Sequence, residues 1–346
     1  MHNKVGIIGR FGFGKELLNG QTIKAKSVEN ALSAALGADN ILCIDTYGGI
    51  NMMLRLPFQC IHAMHSCKNL VILPAHKGIR IIAPMLIILN KFYKRKLHYV
   101  VIGAWISELL KGKRFLARCL KQFDFIYVET SSMKRNLEAQ GFHNVVLMPN
   151  FKALNVLDED TVREQQDQCC RLCTFSRVMQ EKGIDTAINA VKSVNAQINR
   201  DFYRLDIYGQ IKTAQKEWFE ELRKSFGECI RYCGEVPFDQ SVSVLCKYDA
   251  LLFPTKYFTE GIPGTIIDAY AAGIPVIASK WENYDDILDE KTGIGYPFDD
   301  PNGLRRILLE LVDDSSKLTA MRAECIRKAK FFLPESVIHI LLSRLG

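Results

Sequence analysis

Two short stretches of the sequence place charged side chains where they can bind a phosphorylated ligand. In the first, TFSRVMQEKG, Arg177 follows an apolar run predicted as a strand, and Lys182 comes just before a helical pattern. A guanidinium offers a planar pair of donors and an ammonium offers a compact charge, so the two can bracket adjacent phosphates. Taken alone, the stretch favours the alternative of two solvated charges on a surface loop.

The second stretch, TEGIPGTIID, combines carboxylates and glycines at the predicted start of a helix. Gly261 and Gly264 let a ligand approach the backbone, and the free N–H groups of a helix beginning near Thr265 favour a phosphate. Glu260 can accept hydrogen bonds from sugar hydroxyls, and Asp268 can accept them from a ribose diol. The alternative is that both are ordinary acidic residues near a helix start.

A third stretch, GRFGFGKE, follows the predicted strand Val5–Gly9 and matches most of a phosphate-binding P-loop. That motif needs Ser or Thr after its lysine to hold Mg²⁺. Here the next residue is Glu16, whose charge would repel a triphosphate. We therefore predict a glycine-rich turn after the strand and not an NTPase loop.

These stretches lie in a chain in which short β-branched runs alternate with longer amphipathic ones. Six strand-like runs precede residue 150 and six follow residue 170. Such alternation is typical of parallel sheets covered on both faces. We predict an α/β protein with two doubly wound, Rossmann-like domains facing each other across a cleft, where the carboxyl ends of the strands bind the ligand.

The domain boundaries follow from changes in composition. Residues 151–170 are polar, have no sustained period and are predicted to be a linker. They separate a first domain, 1–150, from a second domain, 171–330. The apolar residues of 331–346 recur at helical spacing, which predicts a C-terminal helix that packs back on the first domain.

Together, the motifs resemble those of the retaining glycosyltransferases of family 4, which have the GT-B fold. The main support is the run SRVMQEKGID at 176–185 and the acidic pair of TEGIPGTIID; weaker support comes from DIYG at 206–209, YCG at 232–234, AAGIPV at 271–276 and PN at 149–150. The resemblance is strong over 170–300 and thin over 1–150. The sequence departs from the family at Asp268, where Glu is usual, and at Pro263, where Gly is frequent.

The resemblance implies a role for each site residue. Arg177 and Lys182 would bind the donor diphosphate and Glu260 would hold the transferred sugar, so these three are the expected catalytic residues. The expected donor-binding residues are Gly20, Gln21, Gly209, Gly261, Ile262, Gly264, Thr265 and Asp268. Gly12, Gly14 and Gly20 would lie in a loop facing the phosphates. Lys24, one turn into the next helix, would either help to bind them or, as we expect, be an exposed side chain. His98, expected at the start of a strand, is a candidate contact for the sugar or acceptor, although a histidine at a strand edge is more often structural.

The reaction implied by the resemblance transfers a sugar from a nucleoside diphosphate sugar, by default a UDP-sugar, to a hydroxyl of a glycan acceptor. The anomeric configuration would be retained, and no metal or other cofactor would be needed. Hexosyl transfer in the biosynthesis of a surface polysaccharide (capsule, exopolysaccharide or O-antigen) is the expected context. A sugar-nucleotide epimerase or a phosphorylase on the same fold is one alternative. A non-catalytic nucleotide-sugar-binding protein is the alternative of another class.

Charge is distributed unevenly along the chain. Residues 1–150 contain 20 Lys and Arg against 8 Asp and Glu, whereas the remainder contains 25 against 30. A basic half fits nucleic acid, an anionic membrane or a phosphorylated ligand, and the chain has no recognisable nucleic-acid-binding motif. The apolar run Ile79–Leu89 is followed by basic residues, and a second basic cluster spans 111–121. This pattern favours a lipid-linked acceptor and adsorption to an anionic membrane surface, although a buried helix with solvated lysines would show it too.

The remaining features concern location and metals. The N-terminal residues show no secretory signal pattern, and no apolar run reaches the roughly 20 residues of a membrane span. Eleven cysteines are therefore expected as free thiols in a reducing cytoplasm, with the protein peripheral on the inner face of the plasma membrane. Cys170/Cys173 and Cys229/Cys233 are interpreted as small buried residues, because Cys173 and Cys233 lie in strand-like runs; no metal site is predicted.

Overall fold

The computed structural model describes residues 4–15, 20–161 and 169–345. It divides into two units: the first runs to Ala153 and includes the chain from Pro334 onwards, and the second is Leu154–Leu333. Glu16 and residues 162–168 of the predicted linker lie outside the described residues.

The described residues form twelve strands, six in each unit. They are β1 Val5–Gly9, β2 Ile41–Asp45, β3 Asn69–Ile72, β4 Lys96–Val100, β5 Phe125–Val128, β6 Val145–Leu147, β7 Cys170–Phe175, β8 Tyr203–Tyr208, β9 Ile230–Gly234, β10 Ala250–Phe253, β11 Val276–Lys280 and β12 Gly293–Pro297. The strand-like runs predicted at Val5–Gly9, Ile230–Gly234 and Gly293–Pro297 have the bounds of β1, β9 and β12, and most others agree to within two residues at each end. The exception is β4, which the sequence predicts at Tyr99–Ile102.

The α-helices lie in connections between strands, apart from the last four, which follow β12. They are α1 Gly20–Leu36, α2 Ile50–Ser66, α3 Ile79–Tyr93, α4 Ile106–Leu110, α5 Arg114–Leu120, α6 Ser131–Glu138, α7 Ile184–Gln197, α8 Lys216–Arg223, α9 Ser241–Leu245, α10 Gly264–Ala271, α11 Gly303–Asp313, α12 Ser316–Ala329, α13 Pro334–Val337 and α14 His339–Leu345.

The first unit has a parallel sheet in the order β2-β1-β3-β4-β5-β6. Its strands are apolar at nearly every position because helices cover both faces. Ile8, Leu70 and Tyr99 belong to the core shared with α2 to α6. The opposite face packs against α1 and the C-terminal helices. The chain end is held there by a hydrogen bond of 2.8 Å from Asn69 Nδ2 to the carbonyl of Leu345.

The second unit has a parallel sheet in the order β12-β11-β10-β7-β8-β9. One face packs against α7, α8 and α11, and the other against α9, α10 and α12. Successive strands extend in one direction from β7 to β9 and in the other from β10 to β12. The order therefore reverses between β7 and β10, and the carboxyl ends of such neighbouring strands are where open α/β sheets bind ligands. The predicted fold class is confirmed: both sheets are parallel and doubly wound.

Two further expectations concern the cysteines and membrane-spanning helices. All eleven cysteines are free thiols. No helix within the described ranges has the length and hydropathy that crossing a membrane requires.

Candidate functional site

The loop after β7 carries the two predicted cations. Arg177 is exposed two residues beyond the strand, and Lys182 ends a 3₁₀ turn that begins at Gln180. Gly183 follows with φ +69°, and a Cβ at this position would lie 1.8 Å from the carbonyl oxygen of Pro254. Only glycine permits this conformation and this approach, so Gly183 fixes the loop against the carboxyl end of β10.

Lys182 and Glu260 are brought together from these two strand ends. Lys182 Nζ donates a hydrogen bond to Glu260 Oε1, and the two side chains are 20% and 15% exposed. The ammonium also lies 5.5 Å from the ring centroid of Phe253, the last residue of β10. Asn283 Nδ2 donates to the backbone carbonyl of Glu260 and fixes its loop. The structure therefore places a half-buried cation and a half-buried carboxylate at the point where the strand order reverses.

Neighbouring charges hold the 180–182 turn in place. Glu181 accepts hydrogen bonds from Lys212 Nζ at 2.9 Å and from Gln215 Nε2 at 3.0 Å. These bonds, that from Lys212 most strongly, lower the pKa of Glu181 to about 2. Asp185 accepts from Lys256 Nζ at 2.7 and 2.9 Å. Sequence reasoning missed the two lysines and Gln215; the available signal was the position of Lys256, two residues after the predicted strand Ala250–Pro254.

Gly209 shapes the backbone before Arg177. It has φ +127°, and an added Cβ would lie 2.0 Å from the carbonyl oxygen of Ser176. Its N–H donates to the carbonyl of Gly234 at 2.8 Å, which ties the ends of β8 and β9 together. A larger residue at 209 would push the chain at Ser176 away and move Arg177 with it.

The predicted helix start in the second stretch is at Gly264, the first residue of α10, and Ile262 is buried just before it. Thr265 Oγ1 is buried, and the described residues offer it no hydrogen-bond partner. Asp268 is only 3% exposed and accepts a hydrogen bond of 3.0 Å from Ser241 Oγ. The carboxylate expected to bind a ribose thus lies against the first residue of α9.

The glycine-rich loop of the first unit is organised by a carboxylate. Asp45, the last residue of β2, accepts hydrogen bonds from the N–H of Phe11 at 2.9 Å and of Phe13 at 3.1 Å. Gly12 and Gly14 adopt φ values of +61° and +78°, which permit this turn. Beyond the residues that are not described, α1 begins at the exposed Gly20, with Gln21 half-buried next to it.

The prediction that Lys24 is exposed is wrong. The side chain is 4% exposed, and its Nζ lies 2.9 Å from Asn150 Oδ1 and 3.5 Å from Glu129 Oε1. It also lies 4.9 Å from the ring centroid of Phe151. Burial lowers the pKa of Lys24, while Glu129 favours its charged form. The cause of the error is that this side of α1 packs against the ends of β5 and β6.

The placement of His98 at a strand start is also wrong. It lies inside β4 and is completely buried, with its ring nitrogens 3.0 Å from Tyr127 Oη and 3.2 Å from Asn69 Oδ1. Burial lowers the pKa of His98 to about 4, so the imidazole is neutral. Because both nitrogens have protein partners, this arrangement gives His98 a structural role and no free atom for a sugar.

The part of the chain that holds Arg177, Lys182 and Glu260 matches a known protein family. Residues 170–314 match the family described as glycosyl transferases group 1. Two curated relatives are similar over parts of their length. The amylovoran biosynthesis glycosyltransferase AmsK of Erwinia amylovora is 25% identical over 155 residues, which are 43% of this chain and 38% of that protein.

The second relative is the GDP-mannose-dependent monoacylated alpha-(1-6)-phosphatidylinositol monomannoside mannosyltransferase of Corynebacterium glutamicum. It is 26% identical over 212 residues, which are 57% of this chain and 55% of that protein. The match to the mannosyltransferase, like that to AmsK, spans about half of the relative's length or less.

Among solved structures, HepE from Anabaena, in complex with UDP and glucose, has a TM-score of 0.74 at 12% identity and covers 99% of both chains. This similarity shows the fold, which is that of GT-B glycosyltransferases. Taken together, the family match, the relatives and the fold support a GT-B glycosyltransferase.

Proposed function

We propose that the protein is a retaining, family 4 glycosyltransferase that transfers a sugar from a nucleoside diphosphate sugar to a hydroxyl of a glycan acceptor. The observation that carries this proposal is the contact between Lys182 and Glu260 at the reversal of the strand order. One ligand that presents a phosphate to the ammonium and sugar hydroxyls to the carboxylate would satisfy both side chains. A nucleoside diphosphate sugar has these two groups next to each other.

In the proposed mechanism, Arg177, Lys182 and the N-terminus of α10 stabilise the negative charge that develops on the leaving diphosphate. Glu260 accepts hydrogen bonds from the transferred sugar. The acceptor oxygen attacks the anomeric carbon on the face from which the diphosphate departs. The bond from that carbon to the phosphate oxygen breaks, and the acceptor proton passes to the released phosphate. The proposal needs no side-chain nucleophile, metal or other cofactor.

The other donor contacts in this proposal come from the same edge of the second unit. The backbone at Gly209, Gly261, Ile262 and Gly264 and the unpartnered hydroxyl of Thr265 would face the donor. Asp268 would bind the ribose by exchanging its hydrogen bond from Ser241 for one from the ribose. We propose a UDP-sugar as donor; the complex of HepE with UDP supports this choice, whereas the name of the mannosyltransferase relative makes GDP-mannose the rival to test.

We assign acceptor binding to the first unit, with Gly20 and Gln21 near the diphosphate. The proposed acceptor is a lipid-linked glycan in surface-polysaccharide biosynthesis, used by a protein that is peripheral on the cytoplasmic face of the membrane. Two names support this assignment: one relative acts in amylovoran biosynthesis, and the other on a phosphatidylinositol mannoside.

A donor panel followed by a turnover assay tests the proposal. UDP-glucose, UDP-N-acetylglucosamine, GDP-mannose and ADP-glucose are added separately, and the true donor should raise the melting temperature by mass action. Release of the nucleoside diphosphate is then measured with a lipid-linked glycan fraction. Glu260→Gln should keep the thermal shift and lose release, while Glu217→Gln, an exposed residue of α8, should keep both.

Each alternative gives a different result in this assay. Conversion of a UDP-sugar without acceptor would indicate an epimerase, and a requirement for free phosphate would indicate a phosphorylase. Donor binding without release would indicate a binding protein. Absence of a thermal shift with every nucleotide sugar would contradict the proposal as a whole.

A further inference from the structure

Three neighbouring helices of the first unit leave large apolar side chains in water. α2 packs against α3, and α3 packs against α5, on the same side of the sheet. The described residues contain thirteen exposed large apolar side chains, and eight of them are on these helices: Met53, Leu54, Phe58, Ile61, Ile81, Ile88, Phe92 and Phe115. Their concentration on one side of one unit is the feature to be explained.

The exposed residues of α2 and α3 form stripes. Leu54, Phe58 and Ile61 are spaced i, i+4, i+7 along α2, and Ile81, Ile88 and Phe92 are spaced i, i+7, i+11 along α3. Phe58 is 75% exposed and Phe92 is 81% exposed. The opposite sides of both helices are already in the core. A helix that has one apolar side in the core normally presents a polar side to water, so these outer stripes have no role within the unit.

The charge around the stripes is almost all positive. Between Asp45 and Asp124 the sequence contains thirteen Lys and Arg and a single acidic residue, Glu108. Glu108 is paired with Lys111 at 2.6 Å. The exposed cations on or beside the three helices are Arg55, Lys77, Arg80, Lys91, Lys94, Lys111, Lys113, Arg114, Arg118 and Lys121.

Next to Phe115 there is a basic depression of about 520 Å³. Four cationic side chains line it, Lys111, Arg114, Arg118 and Lys121, together with apolar atoms of Leu110 and Ala117. Of the four, Lys121 already donates a hydrogen bond of 2.9 Å to the carbonyl of Gln140. Lys111 is paired with Glu108, so Arg114 and Arg118 give this depression its charge, and its volume fits a phosphate-bearing head group.

We propose that the face formed by α2, α3 and α5 docks on a bilayer that contains anionic phospholipid. The apolar stripes enter the boundary between head groups and acyl chains, and the cations, including those of the depression, contact lipid phosphates. A second copy of this chain would bring the same positive charge to the face and be repelled. The proposal rests on the proposed function for its purpose, which is access to a lipid-linked acceptor, but the binding itself needs no donor.

Sedimentation with vesicles tests this surface on the full chain. Vesicles of phosphatidylcholine alone are compared with vesicles that also contain phosphatidylglycerol, at low and high salt. The protein should sediment with the anionic vesicles and be released by salt. Phe58→Ser/Phe92→Ser and, separately, Arg114→Glu/Arg118→Glu should each weaken binding on the order of tenfold or more.

Matched controls lie in the second unit. Phe331→Ser changes a side chain that is 71% exposed, and Arg223→Glu/Lys224→Glu changes two exposed cations of α8. Both controls should bind vesicles as the unaltered protein does. All variants should keep the donor-induced thermal shift, which shows that they are folded.

Three outcomes would overturn the proposal: equal sedimentation with both kinds of vesicle, unchanged binding by both face variants, or equal loss in the controls. A concentration-dependent dimer that the Phe58→Ser/Phe92→Ser change abolishes, without any vesicle binding, would assign the face to self-association instead. Because donor binding is measured separately, failure of the glycosyltransferase proposal would appear as a missing thermal shift with vesicle binding intact.

Discussion

The first and second units each fold around six parallel strands, but they differ in what they expose. Ten large apolar side chains are exposed in the described part of the first unit and three in that of the second. The charge differs in the same way, since residues 1–150 are strongly basic and the remainder is mildly acidic. One doubly wound plan therefore supports two kinds of surface.

The ends of the strands differ as well. In the first unit, two carboxylates there have partners within the unit: Asp45 at the end of β2 binds amides of the loop after β1, and Glu129 is buried with Lys24. In the second unit, Arg177 is exposed and the hydroxyl of Thr265 has no partner among the described residues. The proposed donor site therefore uses the strand ends of the second unit, while the distinctive surface of the first unit lies on its helices.

The largest effect is expected from breaking the buried pair of the first unit. Lys24→Ala leaves the carboxylate of Glu129, which is 6% exposed, without its ammonium. Removing one partner of a buried ion pair typically costs about 3–5 kcal/mol of the free energy of unfolding. Urea denaturation measures this loss, and hydrogen exchange should locate it in the first unit. Lys24→Met combined with Glu129→Gln should cost less than Lys24→Ala; an equal or larger loss would show that the charge pairing is not the cause.

The corresponding pair of the second unit should respond in the opposite way. Lys182→Met removes a partner that is 20% exposed, so the free energy of unfolding should change little. Turnover should fall by about 10²–10³-fold, because a donor aimed at the leaving group is lost. Release of the nucleoside diphosphate measures the fall, with Lys224→Met in α8 as the control. Normal turnover in Lys182→Met would remove the distinction drawn between the two pairs.

A smaller effect is expected from changing Gly183, which packs closely against the carbonyl of Pro254 after β10. Gly183→Ala forces a side chain into a left-handed conformation and against the carbonyl of Pro254. Strain and displacement together should cost about 2–3 kcal/mol of the free energy of unfolding. Gly227→Ala is the control, because a Cβ there would meet nothing within 4 Å. Equal melting temperatures of the two variants would contradict the close approach of these loops.

The sequence was most informative where a site residue depends on local structure. Arg177, Lys182 and Glu260 each follow a strand that its apolar run identifies, and all parallel strands of a sheet end at the same edge. The structural roles of Gly183 and Gly209 could be predicted in the same way, since turns that follow strands often require the backbone conformations that glycine allows. These parts of the second unit were therefore accessible without a structure.

Contacts between residues that lie far apart in the sequence, and the burial they cause, could not be predicted from the sequence. Lys24 meets Asn150, 126 positions away, and Asp268 meets Ser241 on another helix. His98 was predicted at a strand edge because the apolar run becomes continuous only after it. The strand β4 begins earlier, at Lys96, a polar residue that gives no apolar signal. For α3, periodicity could not tell which apolar side faces the core, since both sides are apolar.

The smallest effect on stability is expected from Glu181, whose solvated carboxylate contrasts with the buried pair of Lys24 and Glu129. Its pKa is lowered from an ordinary value of 4.5 to about 2 by the hydrogen bonds from Lys212, its own backbone and Gln215. A carboxylate with a lowered pKa stabilises the folded state fully above its ordinary pKa, and that stabilisation is lost as the pH falls through 4.5 towards 2. The melting temperature of the unaltered protein should therefore exceed that of Glu181→Gln slightly at pH 7, and the difference should vanish towards pH 2. Because the side chain is solvated, salt should reduce the difference, unlike that of the Lys24 pair. A difference that stays constant with pH would show that the ionised form of Glu181 does not hold the turn.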